Sequence, residues 1–275
     1  MLPEPTSVVV LDDGRRLAYD DVGSPEGAPI VYLHGCPDSR LTRHPDDSLA
    51  TRAGVRLIAV DRPGYGASDP PRDWTRQSMA DDIGVLIDRL DIDSCAVLGW
   101  SSGGQIALAC ASDPRVARVG LVASTVPSDF DGDAGEVVAE MIPFVVPEGL
   151  TPELAREHIV EGKSATYLAD LDRVDGLLDQ LATGAEVAAA GGTSGAEFDL
   201  RNLMTPWDIA LHDIDVDVLM WYGTADDVVP VSAGESIAAA VPRATLRVVD
   251  GASHLLLLTH WTEILESLRK EISCP

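Results

Sequence analysis

Lysine is almost absent from this sequence: Lys163 and Lys270 are the only two, and Lys and Arg together number 20 against 45 Asp and Glu. The formal net charge is therefore −25. Nucleic acids and anionic membrane surfaces are bound through clusters of Lys and Arg, so we expect neither as a partner. A field of this sign favours neutral or cationic small molecules over anionic ones, although its first effect is on solubility.

Cysteine is scarce and long apolar runs are missing. The four cysteines, Cys36, Cys95, Cys110 and Cys274, have neither CxxC spacing nor a Cys/His metal pattern. No segment reaches the ~20 apolar residues that a membrane span needs. The first residues, Met1–Pro5, lack the basic and apolar parts of a secretory signal. We therefore expect a cytoplasmic protein that binds a small molecule.

The strongest pattern that is present is an alternation of short apolar strands and amphipathic helices. A hairpin is predicted at residues 7–11 and 16–20, around the turn Asp12-Asp13-Gly14. The further predicted strands are 29–33, 56–60, 95–99, 116–124, 217–222 and 244–249. The helices predicted between and after them are 46–53, 77–90, 105–112, 232–240 and 262–272. Strands that are apolar throughout are buried on both faces, so the pattern predicts an α/β fold with a mostly parallel eight-stranded sheet flanked by helices.

The alternation stops after the sixth strand. Residues 126–213 carry helical runs instead, at 136–142, 152–161 and 168–182, and then the glycine-rich stretch 191–195. We interpret this region as a helical lid inserted after strand 6. The core domain would then comprise residues 1–125 and 214–275. The apolar stretch 141–146 is expected either to wall a substrate pocket, through Met141 and Phe144, or only to pack the lid onto the core.

The segment Gly99-Trp100-Ser101-Ser102-Gly103 stands between a predicted strand and a predicted helix. A Gly-x-Ser-x-Gly pattern in that context is typical of a sharp turn that exposes a serine hydroxyl above the sheet. A serine hydroxyl is a weak nucleophile unless a base, usually a histidine oriented by a carboxylate, takes its proton. The pattern therefore predicts Ser101 as a nucleophile that needs two partners.

Candidate partners follow the last two predicted strands. Asp226 ends Gly223-Thr224-Ala225-Asp226, and His254 ends Gly251-Ala252-Ser253-His254. Both loops lie at the carboxyl ends of parallel strands, where they reach the same edge of the sheet as Ser101. We predict His254 as the base and Asp226 as the residue that orients it. Asp227 is the alternative carboxylate.

The oxyanion formed during attack needs two N–H donors that are already in place. We expect them to be the backbone amides of Ser102 and of Cys36, with the Cys36 thiol facing the pocket. His34 and Trp100 are expected at the pocket, His34 shaping the turn rather than acting as the base. Asp61 and Arg62 are expected to form a structural turn pair.

Five ordered motifs resemble those of the α/β-hydrolase fold family. They are His34-Gly35-Cys36-Pro37, residues 61–68 (DRPGYGAS), residues 99–104 (GWSSGG), Gly223-Thr224-Ala225-Asp226 with Pro230, and Gly251-Ala252-Ser253-His254. The resemblance covers residues 8–270. It implies Ser101, His254 and Asp226 as a catalytic triad, the Cys36 and Ser102 amides as the oxyanion hole, and no metal or organic cofactor.

The residue types at the turn narrow the reaction. A serine nucleophile argues against family members that use aspartate there. Ser102 departs from the methionine typical of cofactor-free haloperoxidases. We therefore expect a serine hydrolase acting on a carboxylic ester or lactone of a small to medium, neutral and fairly apolar substrate.

Four alternatives remain open at this point. One is a prolyl-type aminopeptidase, for which Glu153, Glu157 and Glu161 would be the lid carboxylates that hold a substrate amine. C–C bond hydrolysis and a lyase reaction use the same triad. A small-molecule receptor on a hydrolase scaffold is the alternative outside enzymes.

Overall fold

The computed structural model describes residues 2–128, 134–270 and 272. Within them, eight strands form one sheet in the order β1-β2-β4-β3-β5-β6-β7-β8. The strands are β1 (Ser7–Val10), β2 (Arg16–Gly23), β3 (Ala28–Leu33), β4 (Val55–Val60), β5 (Cys95–Trp100), β6 (Val116–Val122), β7 (Asp217–Gly223) and β8 (Ala244–Val249). Strands β3 to β8 pair in parallel, whereas β2 pairs antiparallel with both β1 and β4, which confirms the predicted mostly parallel sheet of eight strands.

Helices cover both faces of this sheet. Those of the core are α1 (Ser48–Arg52), α2 (Arg76–Arg89), α3 (Gly103–Ala109), α9 (Val231–Ala240), α10 (Leu256–Thr259) and α11 (Trp261–Leu268). Every residue of β3 and β5 is buried, as expected for strands covered on both sides. The carboxyl ends of β5, β7 and β8 therefore present their loops at one edge of a rigid core.

Residues 134–213, between β6 and β7, form a separate layer that we call the helical segment. Its helices are α4 (Ala134–Val145), α5 (Pro152–Val160), α6 (Ala165–Asp172), α7 (Leu177–Ala190) and α8 (Ser194–Leu203). The single helix predicted at 168–182 is wrong: α6 and α7 are separated by Gly176, whose φ of +76° is a conformation that favours glycine. Residues 129–133 of the predicted lid lie outside the described part of the chain.

Candidate active site

Ser101 lies at the turn between β5 and α3. Its φ of 54° is in the left-handed region, which non-glycine residues rarely adopt. The turn requires glycine on both sides. A β-carbon on Gly99 would lie 2.5 Å from Gly104 Cα, and one on Gly103 would lie 2.3 Å from the Leu33 carbonyl oxygen. The backbone therefore holds Ser101 in a strained conformation at the carboxyl end of the sheet, as the motif predicts.

His254 is fixed by Asp226. Its Nδ1 lies 2.8 Å from Asp226 Oδ2, and the other carboxylate oxygen accepts the N–H groups of Val228 (2.8 Å) and Val229 (2.9 Å). Because the carboxylate accepts, Nδ1 carries the proton and Nε2 is left as the basic nitrogen. The Asp226 carboxylate is fully buried, whereas the neighbouring Asp227 is exposed.

Trp100 supports the same histidine from the nucleophile side. Its indole N–H donates to the His254 carbonyl oxygen at 3.2 Å, and the two rings lie 5.3 Å apart. The hydrogen bond joins the strand before Ser101 to the loop that carries His254. It therefore fixes the relative position of the two groups that proton transfer would connect.

A cavity of about 230 Å³ brings these side chains together. Its walls from the sheet edge are Cys36, Pro37, Asp38, Trp100, Ser101, Val228 and His254. Its walls from the helical segment are His158, Ile159, Lys163, Tyr167, Leu181 and Ala185. The helical segment therefore covers the edge of the sheet where Ser101 and His254 lie.

The Gly35–Cys36 peptide is clamped by Arg62. The Gly35 carbonyl oxygen accepts from Arg62 Nη2 at 2.9 Å and from the His34 ring at 2.7 Å. In a trans peptide the N–H points away from the C=O, so this clamp fixes the direction of the Cys36 N–H. The N–H groups of Cys36 and Ser102 have no acceptor among the described residues.

Arg62 is in turn held by Asp199, on the buried face of α8. Its guanidinium forms a forked ion pair with both carboxylate oxygens, at 2.8 and 2.6 Å, and both side chains are buried. The Ser102 hydroxyl donates to the same carboxylate at 3.1 Å, and the Tyr65 hydroxyl also donates to it. The helical segment is therefore bonded directly to the residue that follows Ser101.

A second buried carboxylate of the helical segment reaches the other side of the site. Asp170, on α6, accepts the hydroxyl of Ser253 at 2.7 Å and its backbone N–H at 3.3 Å. Ser253 precedes His254. The helical segment thus holds one neighbour of each group that the sequence predicts to react.

His34 does not reach the cavity. It is completely buried. Its Nε2 accepts the backbone N–H of Arg62 at 3.2 Å, and its Nδ1 donates to the Gly35 carbonyl oxygen. Burial and the neighbouring guanidinium hold the pKa of His34 well below its ordinary value. It is therefore a neutral residue of the turn, and the prediction that it lines the pocket is corrected.

Met141 and Phe144 do not line the cavity either: they are 41 % and 76 % exposed. Helix α4 turns a different set of side chains inward, since Val138 is buried and Ile142 and Val145 are partly buried. These inward positions follow the helical period, which leaves 141 and 144 on the outer face. Of the two expectations for this apolar stretch, the contacts of Ile142 and Val145 support packing onto the core.

The glutamates considered for an amine-binding lid also lie elsewhere. Glu153, Glu157 and Glu161 are all exposed and none lines the cavity. The acidic residue that does line it is Asp38, which no sequence motif marked. Asp170 and Asp199 were missed as well. Their one local signal is a carboxylate on the apolar face of an amphipathic helix, beside buried Tyr167 and Leu171 on α6 and beside Phe198 on α8.

No cluster of His, Cys, Asp and Glu suited to a metal ion occurs among the residues that the structure describes. The same residues contain no helix that is long and apolar enough to cross a membrane.

Burial raises the pKa of the Cys36 thiol well above its ordinary value, so this side chain is a neutral part of the cavity wall.

Comparison with known proteins assigns the family. The protein-family model described as "alpha/beta hydrolase fold" matches residues 28–260 of this chain. The chain belongs to this family. The match includes the turn at Ser101 and the loops of Asp226 and His254, and it confirms the resemblance and the fold class predicted from the sequence motifs.

Relatives of this chain carry diverse names. The chain is 30% identical over 274 residues to "Non-heme chloroperoxidase" of Streptomyces lividans, covering 92% of this chain and 94% of that protein. It is 31% identical over 257 residues to "Magnesium-chelatase 30 kDa subunit" of Rhodobacter capsulatus, covering 86% of this chain and 84% of that protein. Proteins similar to this chain are therefore named for different activities.

Solved structures agree on the fold. A hydrolase from Pseudomonas aeruginosa PA01 has a TM-score of 0.75 at 24% identity, covering 95% of this chain and 97% of that one. The esterase EaEST from Exiguobacterium antarcticum has a TM-score of 0.73 at 24% identity, with the same coverage. At this identity the likeness shows the fold, and the function has to be argued from the site.

Proposed function

We propose that this alpha/beta hydrolase cleaves carboxylic esters or lactones of small to medium, neutral or cationic substrates through an acyl-enzyme on Ser101. The observation that carries the proposal is that Ser101 and His254 line one cavity while Asp226 holds the His254 ring at 2.8 Å. A histidine with a fixed tautomer that shares a cavity with a strained serine supports acyl transfer through that serine.

In the proposed reaction the Ser101 hydroxyl attacks the substrate carbonyl and His254 Nε2 takes its proton. The resulting oxyanion is bound by the N–H groups of Cys36 and Ser102, which have no other acceptor among the described residues. His254 then returns the proton to the leaving alcohol. A water molecule, deprotonated by the same nitrogen, hydrolyses the acyl-enzyme and releases the acid.

The cavity sets the expected size of the substrate. Its volume of about 230 Å³ lies below the usual range of drug-sized ligand sites, about 300–1,000 Å³. Apolar side chains of the helical segment, among them Ile159 and Leu181, cover one side. We therefore expect short acyl groups to be preferred over long ones.

A series of p-nitrophenyl esters from acetate to octanoate tests the proposal. We expect kcat/KM to be highest for the short chains, up to butanoate, and to fall steeply by octanoate. Absence of turnover on every ester and on a matching set of lactones by folded protein would contradict the hydrolase proposal.

The relative named a chloroperoxidase supports a second candidate function, the formation of a peracid. If hydrogen peroxide replaced water in attacking the acyl-enzyme, the product would be a peracid, which oxidises halide ions in solution. An assay with acetate, peroxide and bromide distinguishes the two. We expect bromination to be slower than ester hydrolysis, and the opposite ratio would favour the second candidate.

The Arg62 clamp provides a test of the oxyanion hole. Lysine keeps the charge but not the fork, so Arg62→Lys cannot hold both Asp199 and the Gly35 carbonyl. We expect kcat for p-nitrophenyl butanoate to fall roughly 10- to 100-fold with little change in KM, because the Cys36 N–H is misdirected in the transition state.

The matched control is Arg76→Lys. Arg76 is equally buried and also binds α8, through the Asn202 carbonyl at 2.6 Å, and the chain after it, through Asp208 at 2.8 Å. It does not line the cavity. Its replacement should lower thermal stability comparably and change kcat little. Equal losses of kcat in the two variants would show that Arg62 acts only through stability.

A further inference from the structure

Asp38 is a carboxylate inside the cavity that the proposed reaction does not use. It lines the same space as Ser101 and His254. The distance of Asp38 from the nucleophile can be judged from Gly35. A β-carbon built on Gly35 would lie 3.1 Å from Ser101 Cβ and 3.2 Å from Asp38 Oδ2. The Ser101 side chain and the Asp38 carboxylate therefore lie close together, and both line the cavity.

Only one oxygen of Asp38 is satisfied within the described part of the chain. Oδ1 accepts the Thr42 hydroxyl at 3.0 Å, while Oδ2 has no donor among the described residues. Burial raises the pKa of Asp38 to about 6, opposed by the Thr42 hydroxyl and by the charge of Arg62. Asp38 is partly buried and lines the cavity, so Oδ2 is open to a donor that a ligand would supply.

We propose that Asp38 binds a protonated amine of the substrate, a few bonds from the scissile carbonyl, so that the preferred substrates are aminoacyl esters. This inference rests on the proposed hydrolysis at Ser101 and names the substrate class for the same cavity. An ammonium group supplies N–H donors and neutralises the carboxylate in one contact, which makes a charge-assisted hydrogen bond. The net charge of −25 also concentrates cations near the protein.

The lysine that the helical segment contributes to the cavity wall does not pair with Asp38. Lys163 lines the cavity, but its Nζ lies 5.3 Å from the centre of the Tyr167 ring. No ion pair joins Lys163 to Asp38 in the described part of the chain. Trp100, on the wall beside Ser101, adds an aromatic surface of the kind that attracts organic cations. The carboxylate is therefore available to a substrate cation.

The test compares two p-nitrophenyl esters of the same shape, β-alanine and butanoate, which differ by an ammonium in place of a methyl group. The readout is the ratio of their kcat/KM values, because a change common to both esters cancels. We expect the wild-type protein to prefer the β-alanine ester and Asp38→Asn to lower the ratio roughly 10- to 100-fold. Asp227→Asn removes the same charge from an exposed position and should leave the ratio unchanged.

A wild-type measurement covers the case in which Asp38→Asn fails to fold. Between pH 8 and pH 5 the alkylammonium stays protonated, whereas the Asp38 carboxylate takes up a proton as the pH falls through about 6. The preference should therefore weaken towards low pH. The charged and titratable groups that face Asp38 or its cavity are His158, Lys163, Tyr167 and His254, with Arg62 and Asp199 behind the loop. A preference that is flat over this range, or absent, would overturn the inference.

Binding without turnover separates this inference from the proposed function. Calorimetry on Ser101→Ala compares β-alanine methyl ester with methyl butanoate, and the double variant Ser101→Ala/Asp38→Asn is the control. Tighter binding of the amine, lost in the double variant, supports the role of Asp38 even if no ester is hydrolysed. Hydrolysis of butanoate with equal ratios in wild type and Asp38→Asn would overturn the role of Asp38 and leave the hydrolase proposal standing.

Discussion

Replacing Ser101 by alanine is expected to lower kcat for p-nitrophenyl butanoate by roughly 10⁵- to 10⁶-fold, the loss found when a serine nucleophile is removed. The reason is that no acyl-enzyme can form, while the oxyanion donors and the His254–Asp226 pair stay in place. The left-handed φ of 54° at this position is no easier for alanine than for serine, so the fold should persist with similar stability. Circular dichroism and thermal unfolding check that expectation.

Ser102→Ala is the matched control for this experiment. It removes a neighbouring hydroxyl, which bonds to Asp199 at 3.1 Å, but keeps the backbone N–H that would bind the oxyanion. We expect it to lose less than about tenfold in kcat, because only the support of the loop is weakened. A larger loss in Ser102→Ala than in Ser101→Ala would move the nucleophile by one position and contradict our assignment.

The second large effect is expected from Asp226→Asn, at roughly 10⁴-fold in kcat. The amide offers an N–H in place of one carboxylate oxygen, so His254 loses the acceptor that keeps its proton on Nδ1. Val228 and Val229 can still donate to the remaining oxygen, which should preserve the loop. Thermal unfolding and the kcat of the butanoate ester give the two readouts.

Asp227→Asn makes the same chemical change one residue away, on an exposed side chain. We expect its kcat to match that of the wild-type protein. If Asp227→Asn were the slower of the two variants, the neighbouring carboxylate would be the one that orients His254 in solution.

Local patterns in the sequence predict the core well because each strand carries its own signal. The apolar runs of β3 and β5 are buried at every residue, and the glycines around Ser101 mark a turn too tight for any side chain. The loops of Asp226 and His254 follow from the same logic, since parallel strands end at one edge. These features need no knowledge of distant contacts.

The failures concern contacts between distant residues. Met141 and Phe144 lie in an apolar run in which the outward side cannot be told from the inward one until α4 packs. Arg62 and Asp199 are 137 residues apart, and Asp170 and Ser253 are 83 apart. A buried charge is acceptable only beside its partner, and the partner is set by tertiary structure. Asp38 was missed for a different reason: it follows a recognised motif without being part of it.

The most direct test of the proposed acyl-enzyme is to trap the nucleophile. A p-nitrophenyl alkylphosphonate with a short chain imitates the tetrahedral intermediate and forms a stable bond to the group that attacks it. We predict one phosphonyl group per chain, found by peptide mass spectrometry on Ser101, with esterase activity lost in proportion to labelling. Labelling of another residue, or inactivation with Ser101 unmodified, would contradict the central claim.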